Sequence, residues 1–246
     1  MGTPVFYPAG STVACRIAAR TLKKSGIGIA AEPGPRITDL LLDVPSFSGP
    51  GILRTGESPE ALLSRLPEGV RVWGGRLKAF PGGAKQMDLL EDSRYLAENA
   101  AITADCAIRL SGPSLEGTWA DTEVLVIGWG RIGKCLGRTL KALGAPVTVC
   151  ARKPGDRALL QALRYRAIGP AQLKECTFPV IFNTVPAPMM EGQELQHCRL
   201  AMDLASSPGL LGPEVKTARG LPGIYAPESS GKLIADTVLR MLLEVN

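Results

Sequence analysis

The chain has 246 residues, of which 45% are hydrophobic and 21% charged, a composition typical of a globular protein rather than a disordered or fibrous one. No stretch approaches the roughly 18 consecutive apolar residues that span a bilayer, so we expect no membrane segment. The net charge of +5 arises from scattered Lys and Arg with few aromatic residues among them, so we expect no nucleic-acid partner. The six cysteines form no CxxC pair and there is one histidine, which predicts free thiols, a cytoplasmic location and no metal site.

The first half of the chain alternates short apolar runs with turn signals. A helix is predicted over Thr12–Lys24, and a second helix is predicted to begin at Pro59 with Ser58 as its cap. Two Gly- and Pro-rich stretches, Pro45–Gly51 and Gly74–Gly83, predict loops. The predicted strands are Val5–Tyr7, Ile27–Ala31, Leu40–Val44 and Val70–Trp73.

The second half has the clearer pattern, in which buried strands and helices alternate after one long helix. Such alternation predicts a parallel sheet that is covered by helices on both faces. The predicted helices are Ser93–Leu110, Arg131–Leu143, Asp156–Arg166 and the amphipathic Gly231–Val245. The predicted strands are Val124–Ile127, Val147–Cys150, Val180–Phe182 and Leu200–Leu204.

These elements predict an α/β fold with two Rossmann-like lobes, each built on a parallel sheet, joined by a long helix. We place an N-terminal lobe for substrate or partner at residues 1–92 and a linker helix and loop at 93–118. A dinucleotide-binding domain follows at 119–227 and a C-terminal helix at 228–246. The ligand is expected between the lobes, a common location for small-molecule sites.

The sharpest local signal is the glycine-rich segment Gly128-Trp129-Gly130-Arg131-Ile132-Gly133. It follows an apolar strand and opens a helix, which is the context that a GxGxxG phosphate-binding loop requires. In such a loop the first glycine permits the tight turn, the second admits the pyrophosphate, and the third allows the helix to pack closely on the strand. The loop therefore predicts a dinucleotide site, with a purely structural glycine turn as the alternative.

The end of the next strand indicates which nucleotide binds. A site for NAD usually carries an acidic residue about 20 residues after the glycines, where it accepts hydrogen bonds from the ribose. The strand Val147–Cys150 is followed instead by Ala151, Arg152 and Lys153. Two cations at this point favour NADP over NAD, although NAD is possible and a solvated basic loop is the alternative.

Two further segments follow predicted strands and are therefore expected at the same edge of the sheet. Asn183-Thr184-Val185-Pro186 is expected near the nicotinamide ribose, and Ala205 and Ser206 follow the next strand. Asp203 precedes them, and a bracing role in the loop is as plausible as a role in binding.

Several segments together resemble the A-subunit family of dipicolinate synthase in order and spacing over most of residues 85–246. They are NAAITADCAI from Asn99, VLVIGWGRIGK from Val124, TLKALGAPVTVCARK from Thr139, IFNTVPAP from Ile181 and MDLASSPG from Met202. The resemblance implies two Rossmann-like domains and the conversion of the product of 4-hydroxy-tetrahydrodipicolinate synthase into dipicolinate during sporulation. It also implies a flavoprotein-like second subunit, the B-subunit, with which the chain works. The apolar faces of the long helices favour a homo-oligomer.

No catalytic residue is assigned from the sequence. His197 precedes a predicted strand and is therefore expected at the edge opposite the nucleotide, which argues against a histidine acid/base. A small dicarboxylate substrate needs cationic or N–H donors, and the candidates are Lys85, Arg109 and the backbone at Gly10 and Ser11. Asn99 and Thr103 share one face of the long helix and are further candidates, with capping or bracing of the hinge between the lobes as the alternative. An alternative function is a divergent scaffold or regulatory protein that binds NAD(P) without turnover.

Overall fold

The computed structural model of the chain describes residues 3–81 and 84–245. The described residues form two compact units: one extends to Asn99 and resumes at Pro222, and the other is Ala100–Leu221. Gly82 and Gly83, which end a predicted loop, lie outside the described residues. Within those residues, no helix combines the length and the apolar character needed to cross a membrane.

The first unit contains a five-stranded sheet in the order β2-β1-β3-β6-β7, with every neighbouring pair parallel. β4 and β5 form a separate antiparallel hairpin. Buried Leu40, Val72 and Leu77 belong to the apolar core of this unit. The strands are β1 (Val5–Pro8), β2 (Gly28–Ile29), β3 (Asp39–Leu41), β4 (Phe47–Gly49), β5 (Ile52–Leu53), β6 (Arg71–Gly74) and β7 (Lys85–Asp88).

The described residues form seven α-helices. The long helix α3 runs from the first unit into the second. The helices are α1 (Val13–Lys24), α2 (Pro59–Leu63), α3 (Ser93–Ser111), α4 (Arg131–Ala142), α5 (Pro154–Ala162), α6 (Leu221–Tyr225) and α7 (Pro227–Val245).

The C-terminal helix α7 packs along α1 in the first unit. A Cβ atom on Gly231 would lie 2.6 Å from both the carbonyl oxygen of Ala14 and the Cβ of Ile17, so the two helices meet where α7 has no side chain. Close approach of this kind is available only to glycine. The last helix of the chain thus completes the core of the first unit.

The second unit contains a six-stranded sheet in the order β10-β9-β8-β11-β13-β15, and all of its neighbouring strands are parallel. This order matches the arrangement of dinucleotide-binding folds, with the reversal of strand order between β8 and β11. A short parallel pair, β12 with β14, lies apart from it. The strands are β8 (Val124–Ile127), β9 (Val147–Cys150), β10 (Arg166–Ile168), β11 (Val180–Asn183), β12 (Met190–Glu191), β13 (Leu200–Asp203), β14 (Leu210–Leu211) and β15 (Val215–Thr217).

The predicted fold class, two α/β lobes with parallel sheets, is confirmed. Two of the predicted segments were wrong, and several short strands were not predicted. The helix predicted over Asp156–Arg166 ends at Ala162, since Arg164 has a positive φ of 63° that stops it before β10 begins. The stretch Pro45–Gly51, predicted as loop, contains β4.

Candidate functional site

The candidate nucleotide site lies at the carboxyl edge of the second sheet. Because the strands are all parallel, the residues after β8, β9, β11, β13 and β15 emerge at one edge. After β8 the chain crosses over to β9, and after β11 it crosses over to β13, in the opposite direction along the sheet. The two connections diverge and open a crevice, which is where such sheets bind ligands. The predicted segments after β8, β9, β11 and β13 are thereby brought to the same edge.

The glycine loop turns directly after β8 and requires glycine at two positions. Gly128 has a φ of +102°, and a Cβ there would lie 2.5 Å from Thr184 Oγ1. A Cβ on Gly133 would overlap the carbonyl oxygen of Gly128, so only glycine lets α4 start this close to the end of β8. Both requirements match the roles that the motif predicts for its first and third glycines.

Gly130 differs from these two glycines because it faces open space. No heavy atom lies within 4 Å of the position that its Cβ would take. It caps α4 without a side-chain hydrogen bond, and the first turn of the helix contains no acidic residue. The N–H groups of Arg131 and Ile132 therefore begin a helix whose positive end carries no anion of its own, and such ends bind phosphate.

The side chain of Trp129 points away from this opening. Its ring packs edge-on against Tyr165, with the ring centroids 5.6 Å apart, and it fills the space beside Gly137 in α4. Lys141 lies over the other aromatic ring, 4.5 Å from the centroid of Tyr165. The Trp129 side chain thus packs between α4 and the segment before β10. Only the backbone of Trp129 contributes to the phosphate-binding loop.

Arg152 and Lys153, the basic residues after β9, are exposed, and the side chain of Arg157 holds the backbone of this segment. Neither Arg152 nor Lys153 forms an ion pair or side-chain hydrogen bond with a described residue. Arg157 Nη1 donates to the carbonyl oxygens of Ala151 at 2.9 Å and Arg152 at 2.7 Å. Arg157 therefore fixes the backbone that carries the two cations and leaves their charges available.

The segment after β11 is mostly engaged in the fold. The side chain of Asn183 is fully buried, donates to Asp203 Oδ1 and Val185 O, and accepts from Val185 N. Thr184 Oγ1 donates to Ile127 O at 2.9 Å, which ties this segment to β8. These two side chains shape the turn, and Val185 packs partly buried against the core, so Pro186 is the exposed member of the predicted set.

Asp203 braces the turn after β13. It is 1% exposed, and beyond its bond with Asn183 it accepts hydrogen bonds from the backbone N–H groups of Ala205, Gly209 and Leu210. Of the two alternatives for this residue, the geometry favours bracing. Ser206 lies exposed at the top of the turn that Asp203 holds.

In the first unit, the predicted anion contacts at Gly10 and Ser11 meet a carboxylate of the chain itself. Asp43, 2% exposed, accepts from the backbone and hydroxyl of Ser11 and from those of Thr12, over 2.5–3.1 Å. A Cβ on Gly10 would lie 2.7 Å from Asp43 Oδ1. The N–H groups of Ser11 and Thr12, which lead into α1, are therefore already bound by an internal anion and are not open to a substrate.

The remaining substrate candidates are spread over the fold. Asn99 and Thr103 lie one turn apart on α3, half-buried and buried respectively. Arg109 pairs with Asp105 at 3.0 Å on the same helix, whereas Lys85 is exposed at the start of β7. His197 is exposed and precedes β13, at the amino edge of the second sheet, as its position in the sequence predicts.

All six cysteines are free thiols. Cys150 ends β9 beside the basic pair, and burial raises its pKa to about 11. Burial, with the nearby Asp43, raises the pKa of Cys15 to about 12. Both are therefore protonated at neutral pH and unsuited to act as nucleophiles.

Three residues at these edges were missed by sequence reasoning: Asp43, Arg157 and Arg219. Asp43 reaches a loop more than 30 residues before it. Arg219, placed after β15, donates from Nε to Ala205 O at 3.1 Å. Asp43 and Arg219 act through contacts that depend on how the strands pair, and Arg157 acts through the turn between β9 and α5. The only signal in the sequence was a charged residue near a strand end.

No family model matches the chain. A search of curated proteins finds the dipicolinate synthase A-subunit of Bacillus subtilis (strain 168), 28% identical, with 87% of this chain and 80% of the relative aligned. The crystal structure of the A chain of that synthase from Bacillus subtilis has a TM-score of 0.81, with 23% identity, and covers 100% of this chain and 97% of its own. The A-subunit from Bacillus halodurans has a TM-score of 0.82 at 21% identity and covers 98% of both chains. Sequence and fold therefore make this chain a relative of the dipicolinate synthase A-subunit, which confirms the resemblance that its motifs indicate.

Proposed function

We propose that the chain is an NADP-dependent oxidoreductase subunit that forms dipicolinate, as the name of its relative says of that protein. The observation that carries the proposal is the open N-terminus of α4 at Gly130, next to an exposed basic pair after β9. An anion-binding helix end fits a pyrophosphate, and Arg152 with Lys153 fits a 2′-phosphate.

The residues at the glycine loop are compatible with the cofactor. The Cβ position of Gly130 is open, and the first turn of α4 offers its N–H groups to a diphosphate. The first acidic residue after the basic pair is Asp156. It lies in the first turn of α5, where the positive end of the helix dipole stabilises its negative charge. Ser206 and the Val185–Pro186 segment border the other half of the crevice, where the reacting ring is expected.

The product of 4-hydroxy-tetrahydrodipicolinate synthase loses water to give a dihydrodipicolinate, and removal of a hydride and a proton from that compound gives the aromatic dicarboxylate. NADP⁺ supplies the hydride acceptor when bound. Aromatisation is itself favourable, so the protein's main tasks are to hold the substrate in a reactive geometry and to exclude water. His197, at the opposite edge of the sheet, takes no part, and we propose that water accepts the proton.

We propose that the chain works with a flavoprotein-like B-subunit or with further copies of itself, in the cytoplasm where its six thiols stay reduced. Light scattering at micromolar concentration, with and without the partner, measures the assembly. A larger particle in either condition supports association, and a monomer in both contradicts it.

The alternative is a nucleotide-binding scaffold without turnover. It is favoured by one observation: the N–H group of Ser11, which was expected to meet the substrate, donates to Asp43 instead. A turnover assay separates the two functions. The chain is supplied with NADP⁺ and the product of 4-hydroxy-tetrahydrodipicolinate synthase, with and without the flavoprotein-like partner, and NADPH and dipicolinate are measured. Equal amounts of both products support the enzyme, whereas nucleotide binding without product in either condition supports the scaffold.

A further inference from the structure

Arg219 stands at the carboxyl edge of the second sheet, on the half that the glycine loop does not occupy. It follows Thr217, the last residue of β15, and the backbone N–H of Ala218 donates to Asp203 O at 2.8 Å. The ladder between β13 and β15 therefore continues to the residue before Arg219 and fixes where its backbone emerges.

The side chain of Arg219 is oriented by one hydrogen bond and is otherwise unused. Nε donates to Ala205 O at 3.1 Å, so the side chain lies along the turn after β13. Among the residues that the structure describes, the terminal Nη1 and Nη2 groups of Arg219 have no ion pair and no hydrogen bond. The side chain is exposed. Those two nitrogens form the end of the guanidinium fork that matches both oxygens of a carboxylate.

The nearby turn supplies polar groups but no available negative charge. Ser206 and Ser207 are exposed, and neither hydroxyl bonds to another described residue. Asp203, beneath the turn, is 1% exposed and already accepts hydrogen bonds at both oxygens. The charge of Arg219 is therefore not neutralised by an ion pair within the turn.

The position of Arg219 in the strand order points to the substrate rather than to the nucleotide phosphates. β15 lies beyond β11 and β13, on the side of the crevice away from β9 and its basic pair. Neighbouring strands are about 5 Å apart, so β15 is roughly 15 Å from the strand that leads into the glycine loop. In this fold the second half of the sheet holds the second nucleotide of a dinucleotide. A cation there lies where the reacting ring and the substrate meet.

We propose that Arg219 binds a carboxylate of a small dicarboxylate substrate through Nη1 and Nη2, with the hydroxyls of Ser206 and Ser207 as further donors. The proposal rests on the proposed function and names the group that recognises its substrate class. Hydrogen bonds between charged groups contribute about 1.5–3 kcal/mol each, so removal of the fork is expected to weaken binding about tenfold to hundredfold.

The test is calorimetric titration of pyridine-2,6-dicarboxylate into the NADPH-saturated protein and two variants, Arg219→Gln and Arg219→Lys. We expect Arg219→Gln to weaken dicarboxylate binding about tenfold or more, with Arg219→Lys between it and the parent. The affinity for NADPH and the melting temperature should stay at parent values in both variants. Arg166→Gln is the matched control, since Arg166 is exposed at the opposite edge of the same sheet and its side chain has no partner among the described residues.

Equal dicarboxylate affinity in Arg219→Gln and the parent overturns the assignment of Arg219 and leaves the substrate class standing. Loss of NADPH affinity together with a lower melting temperature in Arg219→Gln also overturns it, because Arg219 would then only brace the turn. If the parent binds NADPH and not the dicarboxylate, the proposed function fails, and the role of Arg219 fails with it.

Discussion

Gly130 is the residue at which nucleotide binding can be separated from folding. Its φ is −80° and its Cβ position is empty, so a side chain there is compatible with the fold. We expect Gly130→Asp to abolish binding of NADPH and NADH, because a carboxylate would occupy the position of the pyrophosphate. Equilibrium titration of both nucleotides measures the effect.

The control for this substitution is Gly112→Asp, which adds the same charge at an exposed glycine of the same unit with nothing within 4 Å of its Cβ position. The control should bind both nucleotides as the parent does. Parent-like affinity in Gly130→Asp would show that the nucleotide binds elsewhere.

His197 tests whether the chemistry uses a side-chain acid/base. It lies exposed before β13, at the amino edge of the sheet, with the glycine loop at the carboxyl edge. We expect His197→Ala to leave turnover and nucleotide affinity within about twofold of the parent. Steady-state rates measure this, and a loss of about a hundredfold or more, the usual cost of removing a general acid/base, would contradict it.

At the scale of elements, the packing of α7 on α1 depends on Gly231. A Cβ at this position meets the backbone of Ala14 and the side chain of Ile17 at 2.6 Å, so one helix has to move. We expect Gly231→Ala to lower the free energy of unfolding by about 1–3 kcal/mol, as overpacking does in cores. Denaturant unfolding followed by circular dichroism measures the change.

Gly223→Ala is the matched control, because Gly223 is exposed in α6 and its Cβ position is open. It should leave the stability unchanged or raise it slightly, since alanine is the better helix former. A neutral Gly231→Ala would show that the two helices have room to separate.

The elements that the sequence predicts best are strands that are apolar at every position because both faces of the sheet are buried there. β8, β9 and β11 are buried throughout, and each was predicted within one residue. β7, β10 and β15 were missed because these edge strands carry exposed charged residues, such as Lys85 and Arg166, that interrupt an apolar pattern.

The same distinction applies to the candidate site. The glycine loop is a local motif, and its geometry could be predicted because Gly128 and Gly133 each meet a steric constraint within a few residues or at the neighbouring strand end. Asp43 and Arg219 could not be predicted, since their partners are set by strand pairing. The role of Arg157 depends on how the chain turns between β9 and α5, which no motif in the sequence encodes.

At the scale of the whole molecule, the two sheets differ in what their carboxyl edges offer to a ligand. The first sheet has the order of flavodoxin-like folds, and its reversal lies between β1 and β3. Asp43 follows β3 and accepts hydrogen bonds from the N–H groups of Ser11 and Thr12, which lead into the helix beside that reversal. The corresponding helix end of the second sheet, at Gly130, is open. Of the two helix ends at these reversals, the second is therefore the one where the nucleotide is expected.

The identity of that nucleotide is the most direct test of the proposed function. NADPH and NADH are titrated into the parent, into the double variant Arg152→Gln with Lys153→Gln, and into Lys174→Gln as a control for loss of an exposed charge. We expect the parent to bind NADPH at least about tenfold more tightly than NADH, since two cations would contact the 2′-phosphate. The double variant should lose that preference while it keeps its NADH affinity, and Lys174→Gln should behave as the parent. Equal or tighter binding of NADH by the parent would contradict an NADP-dependent enzyme.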